Sequence, residues 1–363
     1  MDQQRIGIVG LGKISGIYLQ NLTGIFRRRV RITAVTDLIQ KRGETVQAEY
    51  NIPFVPDIET LIRRPDVDIV LNITQPQNHF EVAKKAVEAG KHVYNEKPLC
   101  VTREEAAELL RLADARKVRV GCAPDTFLGA GIQTCRKLID DGWIGNPIAA
   151  AAFMMNHGHE HWHPDPEFYY KTGGGPLFDM GPYYLTALVN LLGPIARVSG
   201  SAKQGFKTRT ITSEPQQGKT ITVDVPTHIA ATMDFASGAV GTLITSFDVY
   251  SHTLPFIEIY GTEGTLRVPD PNTFGGPLWV SRFRQETWSE IPLLGAYAEN
   301  SRGLGITDMA CAIACGRPHR ASGELANHVL EVMHGIHDAS CSGVYYQVKT
   351  GCSQPAVLGK EEL

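Results

Sequence analysis

A chain of 363 residues is longer than one hydrophobic core usually organises, so two domains are expected, and 43% hydrophobic residues suffice to fill both. With 35 basic against 38 acidic side chains the formal charge is only −3. The densest basic run, RRRVR from Arg27 to Arg31, leads straight into an apolar strand and reads as a solvated strand edge rather than a nucleic-acid patch. Seven cysteines, odd in number and without zinc-type pairing, are scattered along the chain. Cys311 and Cys315 fall four apart in DMACAIAC and read as buried small residues of a helix. The amino terminus enters a strand at once, with no charged leader, and no apolar run approaches the roughly 18 residues of a membrane span, so a cytoplasmic protein is expected.

The first third alternates strands and helices. RIGIVG, RVRITAVTD, VDIVLNIT, KHVYNEKP and RKVRVGCA read as five strands, separated by helical patterns over 14–23, 39–50, 78–89 and 103–116. The last helix opens with Thr102 and carries Glu105 three residues on, a capping box. Strands joined by helices of this length pair in parallel through right-handed crossovers, which predicts an α/β doubly wound sheet with a ligand crevice at the carboxyl ends of its strands.

GLGKIS ends the first strand. Gly10 suits a tight turn, Gly12 lets a pyrophosphate approach the following helix, and Lys13 and Ile14 lie on the same turn, with small Ser15 where a third glycine or alanine is common. Asp37, ending the second strand, is placed to bind ribose hydroxyls, which favours NAD over NADP, although Lys41 and Arg42 are near enough to meet a 2'-phosphate. Polar groups follow the next two strands, in TQPQNH and NEKP. Thr74, Pro76, His79, Glu96 and Lys97 are therefore candidates for the nicotinamide half, His79 reading equally well as an ordinary helix-start residue. Lys97 brings a positive charge and a transferable proton to the mouth of the crevice.

These motifs, with GGGPLFDMGPYY at 173–184, together resemble the Gfo/Idh/MocA family, the sugar and polyol oxidoreductases related to glucose-fructose oxidoreductase and inositol dehydrogenase. DGWIGNP, YGTEGTLRVPDPN and ELANHVLEVMHGI resemble further family segments. The resemblance implies a Rossmann domain over 1–123 and, over 124–363, an α+β domain whose large open, mostly antiparallel sheet serves the substrate and often an oligomer interface, as a homodimer or homotetramer. It implies that the glycine run brings the chain close to nicotinamide and substrate, and that Asp179 faces the reacting carbon. Four residues on, where most members have histidine, stands Tyr183. Either Lys97 is the acid/base, with Asp179 orienting the substrate and Tyr183 lining the pocket, or Tyr183 moves the proton with Lys97 stabilising its phenolate.

Upstream, NHGHEHWHPDPEFYYKT carries histidines at 157, 159, 161 and 163. On a strand they would share one face and suggest a metal, but Gly158, Pro164 and Pro166 interrupt it and no metal is expected. Many relatives have a Trp-Arg pair here, so Trp162 is expected to stack on a sugar ring and His163 to donate to a hydroxyl, with His157, His161 and Tyr170 as secondary substrate contacts. The implied activity is hydride transfer between a nicotinamide and a CH–OH group of a sugar, polyol or glycoside. Two alternatives are an NAD-dependent glycoside hydrolase working through transient oxidation, and a cofactor-binding regulator without turnover. The only partners expected are a small-molecule substrate and further copies of the chain, with no nucleic acid and no membrane.

Overall fold

The computed structural model describes residues 3–285 and 287–359. Five parallel strands, β1 (Gln4–Val9), β2 (Val30–Thr36), β3 (Ile69–Asn72), β4 (His92–Asn95) and β5 (Val120–Cys122), form a sheet in the order β2-β1-β3-β4-β5. Ile6, Ile8, Val35, Val70 and Val93 are wholly buried, as expected of a parallel sheet covered on both faces. The connecting helices are α1 (Ser15–Thr23), α2 (Gln40–Tyr50), α3 (Ile58–Arg63), α4 (His79–Glu88) and α5 (Arg103–Arg116). The Thr102–Glu105 capping box is formed in both directions. α3 was not anticipated, since six residues are too few to show a helical period; the Asp57 side chain starts it by accepting the Thr60 N–H. Strand order reverses between β1 and β3, which makes the carboxyl ends of these strands the crevice of a doubly wound fold.

After α6 (Ala130–Asp140) come β6 (Pro147–Met155), α7 (Pro176–Leu192), β7 (Ile195–Lys203) and a two-stranded ribbon of β8 (Thr208–Thr210) and β9 (Thr220–Thr222). Then follow β10 (His228–Phe235), β11 (Val240–Ser246), β12 (Ile257–Gly261), β13 (Gly264–Val268), β14 (Trp279–Arg282) and β15 (Ser289–Glu290). With β16 (Tyr346–Gln347) they make a nine-stranded sheet in the order β15-β14-β13-β12-β6-β11-β10-β7-β16, in which only the β6–β11 pair is parallel. Along β10, Ile229, Ala231, Met233 and Phe235 are buried while His228, Ala230, Thr232 and Asp234 are half-buried. That period of two marks a sheet with one covered and one open face. α7 packs on β6, β10 and β11.

The chain divides into two compact units. One compact unit runs to Leu128 and takes back Glu299–Leu330, while the other comprises Gly129–Ala298 and Glu331–Val357. The return has a local cause. α8 (Leu304–Cys315), which precedes α9 (Gly323–Ser342), packs against β1 and β5. Its amino end is tied to Asp125, whose buried carboxylate accepts the Gly303 N–H at 2.9 Å and the Gly305 N–H at 3.0 Å. Burial nevertheless pushes this carboxyl up to about 6, the two amides opposing the shift. No described helix is long and apolar enough to cross a membrane.

Candidate active site

In the first unit the site begins where β1 stops. Gly10 has φ +95°, and a Cβ there would stand 2.9 Å from the Ile73 carbonyl oxygen, so both its conformation and the chain just after β3 require glycine. Gly12 differs, because a Cβ would meet no atom within 4 Å. Nothing in the protein demands that glycine, and its bare backbone suits the close approach of a pyrophosphate. The hydroxyl of Ser15 donates to the Gly12 carbonyl at 2.7 Å, tightening the turn that carries Lys13 and Ile14. No side chain caps α1, so its leading amides suit an anion.

Asp37 follows β2. Its Oδ2 accepts the Leu11 N–H at 2.6 Å and its Oδ1 the Ile39 N–H at 2.7 Å, with Arg42 Nη1 3.7 Å away. The carboxylate is clamped across the mouth of the turn with its side chain 7% exposed. These features fit a dinucleotide, with Gly10, Gly12, Lys13 and Ile14 at the pyrophosphate and Asp37 at the ribose.

β3 and β4 each end in a wholly buried asparagine, and both were missed in the sequence. Asn72 Nδ2 donates to Asn95 Oδ1 at 3.0 Å and to the His79 carbonyl at 3.1 Å, while Asn95 Nδ2 donates to the Leu99 carbonyl at 2.9 Å. Thr74 Oγ1 donates to Asn72 Oδ1 at 2.7 Å. The two amides thereby hold TQPQNH, with Pro76 starting a short 3-10 turn, against NEKPLC. The signal was available, for IVLN and HVYN both close an apolar strand on a polar residue. Glu96 is braced as well, its Oε1 accepting the Tyr18 hydroxyl at 2.7 Å and its Oε2 the Lys97 N–H at 3.0 Å. Lys97, half-buried, leaves the carboxyl end of β4 next to it. His79 corrects an expectation. It is wholly buried, its ring nitrogens 2.6 Å from the Pro98 carbonyl and 3.1 Å from that of Thr74, and burial lowers its pKa. It braces two loops and presents no surface to a cofactor.

In the second unit β6 stops at Met155, and the chain from 156 to 170 runs through turns and a short 3-10 segment, Glu167–Tyr170. The four histidines therefore share no strand face. Among the described residues no group of three or more His, Cys, Asp or Glu is arranged to hold a metal. His157 stacks on Tyr250 at 3.7 Å between centroids, with its Nε2 3.3 Å from Arg209 Nη1; burial, and then the guanidinium, lower its pKa. Trp162 is 46% exposed and meets His163 edge-on at 5.3 Å. His161 is exposed. Tyr170 departs from expectation: it is wholly buried, with the Arg209 guanidinium 5.7 Å from its ring, and burial and Glu160 raise its pKa. It supports the loop from beneath instead of facing a substrate.

The glycine run has a cause within its own unit. Gly173 and Gly175 have φ of +86° and +88°, and a Cβ on Gly174 would lie 2.6 Å from the Phe168 carbonyl oxygen. Gly175 then caps α7, with Pro176 as the first helical residue and Asp179 in the first turn, where the helix dipole favours a carboxylate. Tyr183, one turn on, is 8% exposed. One partner of Asp179 was not among the expected site residues. His159 Nε2 lies 3.3 Å from Asp179 Oδ2.

A glycine turn at the switch point, an uncapped helix start and a carboxylate just beyond β2 have the chemistry of a dinucleotide-binding site. The chain belongs to the Gfo/Idh/MocA family, residues 4–123 matching its oxidoreductase, NAD-binding Rossmann fold model and residues 132–267 its C-terminal domain. It is 25% identical over 285 residues, 73% of each chain, to D-xylose dehydrogenase of Paenarthrobacter nicotinovorans. Among solved structures it resembles an NAD binding oxidoreductase from Klebsiella pneumoniae with a TM-score of 0.84 and 22% identity, covering 96% of this chain and 100% of that one. It also resembles levoglucosan dehydrogenase in complex with NADH, with a TM-score of 0.82 and 19% identity over 96% and 100% of the two chains. At such identities the two structures establish the fold.

Proposed function

We propose that the protein oxidises a CH–OH group of a sugar, polyol or glycoside, with NAD preferred over NADP. The observation that carries this reading is Lys97, set two residues after β4 on the same strand-end edge as the Gly10–Gly12 turn and Thr74. Bound NAD supplies the hydride acceptor. Lys97, in its neutral form, takes the hydroxyl proton as the C–H bond breaks, and Asp179 accepts from the same or a neighbouring hydroxyl. Trp162 stacks on the ring and His163 donates to a further hydroxyl, while Tyr183 lines the pocket. The carboxylate of Asp37 repels a 2'-phosphate, which sets the cofactor preference. Two of the relatives, D-xylose dehydrogenase and levoglucosan dehydrogenase, are sugar enzymes by name.

The test is to follow reduced nicotinamide while the protein is offered aldoses, inositols and glycosides. Reduction matching substrate consumption, and a fall in kcat of about 10²- to 10⁴-fold in Lys97→Met, are expected. Activity within about tenfold of wild type in that variant contradicts the proton-carrier role. Release of an aglycone without net reduction would replace dehydrogenation by redox-assisted hydrolysis.

The open face of the nine-stranded sheet, where Ala149, Ala151 and Phe153 of β6 are half-buried, is proposed as the surface that a second copy covers. Light scattering on the purified chain should give a dimer or tetramer mass. A monomer at micromolar concentration contradicts this assignment.

A further inference from the structure

We infer that His159 is the positioning residue that holds the Asp179 carboxylate for substrate, an inference that rests on the role proposed for Asp179. The residue one turn after Asp179 on α7 is a buried phenol, Tyr183. An imidazole reaches the carboxylate from elsewhere, the loop after β6, placing Nε2 3.3 Å from Oδ2. A carboxylate only accepts, so Nε2 carries the hydrogen. His159 is 8% exposed, with the rings of Tyr169, Phe247 and Trp162 at 4.1, 4.7 and 5.4 Å from its own. Aromatic walls lower the local dielectric and strengthen a hydrogen bond to a carboxylate relative to one made in water.

The loop fixes the imidazole independently of Asp179. Gly158 before it has φ +84°, and a Cβ there would strike the Tyr170 hydroxyl and the Glu160 carboxylate. Glu160 after it lies 3.2 Å from the Arg209 guanidinium, and its carbonyl accepts the Thr212 and Ser213 N–H groups at 2.9 and 3.0 Å. Gly158 is held locally, its N–H donating to Asn156 Oδ1 at 2.9 Å, and Glu160 is locked by residues far along the chain. With Oδ2 held, the carboxylate meets the substrate hydroxyl in a defined orientation, which is an orientation effect on kcat.

Three variants test it. His159→Phe keeps the aromatic packing and removes the donor, and should lower kcat about tenfold or more while leaving the affinity for NAD unchanged. His159→Gln, which restores an N–H, should recover activity to within about threefold of wild type. Adding His159→Phe to Asp179→Asn should cost no more than Asp179→Asn alone, because the two act as one unit. Independently of turnover, nitrogen NMR of labelled histidine should show His159 protonated at Nε2, with a resonance that moves in Asp179→Asn. A wild-type chain inactive on every sugar would thus sink the proposed function while leaving the pairing measurable. The inference is overturned by a His159→Phe enzyme within about twofold of wild type, by full additivity with Asp179→Asn, or by a His159 resonance indifferent to that substitution.

Discussion

The strand ends of the first unit and the 156–175 segment of the second reach comparable polar precision by different means. At the strand ends each important group stands a residue or two beyond a regular element, and its partners come from neighbouring strand ends, as Asn72 and Asn95 do. In the loop the partners are distant in sequence and ionic. Arg209, nearly buried on the ribbon, lies 3.2 Å from Glu160 and 3.0 Å from Asp248, and also donates to the Phe247 carbonyl. Regular elements deliver the first kind of site through backbone geometry. The second depends on a charged staple that no local pattern announces.

Removing that staple should separate the two regions most sharply. Arg209→Met leaves two carboxylates facing a nearly buried site without their cation, and should cost about 3–5 kcal/mol in chemical denaturation. The same variant should raise the KM for sugar yet leave NAD affinity within about twofold, since the Gly10 turn and Asp37 are untouched. A stability loss below about 1 kcal/mol would show that the loop is held by packing instead.

A smaller, pH-dependent effect belongs to the first unit. The folded-state pKa of Asp125 is raised to about 6, so its contribution to stability is fully present below its unfolded value, near 3.9, and is lost as pH rises through about 6. Wild type should therefore lose up to about 3 kcal/mol relative to Asp125→Asn between pH 4 and 7, read from urea unfolding across that range. A stability difference that stays flat with pH removes the assignment.

The same contrast explains what the sequence disclosed. The five strands, the capping box at Thr102, the Gly10–Gly12 turn and Asp37 could be read because strand period, helix capping and tight turns are local. His79 and Tyr170 misled, for a polar residue at a strand end or in a loop does not reveal whether it faces a ligand or the interior. The alternating histidines suggested a shared face only on the assumption of a strand, and Gly158 with the two prolines turned the chain instead. His159 was visible as a residue but not as a partner of Asp179, because their contact depends on Glu160, Arg209 and the ribbon. The glycine run pointed to a constrained backbone, and the constraint proved to include the unit's own chain at Phe168.

Under the proposed function, Lys97 and Asp179 serve a single chemical step. The direct measurement is a double-mutant cycle on kcat with Lys97→Met and Asp179→Asn, using whichever sugar the wild-type protein oxidises best. The double variant should be nearly as active as the worse single one, the two losses overlapping by about tenfold or more. Losses that multiply in full would mean that Lys97 and Asp179 work on separate events, and the proposed chemistry would fail.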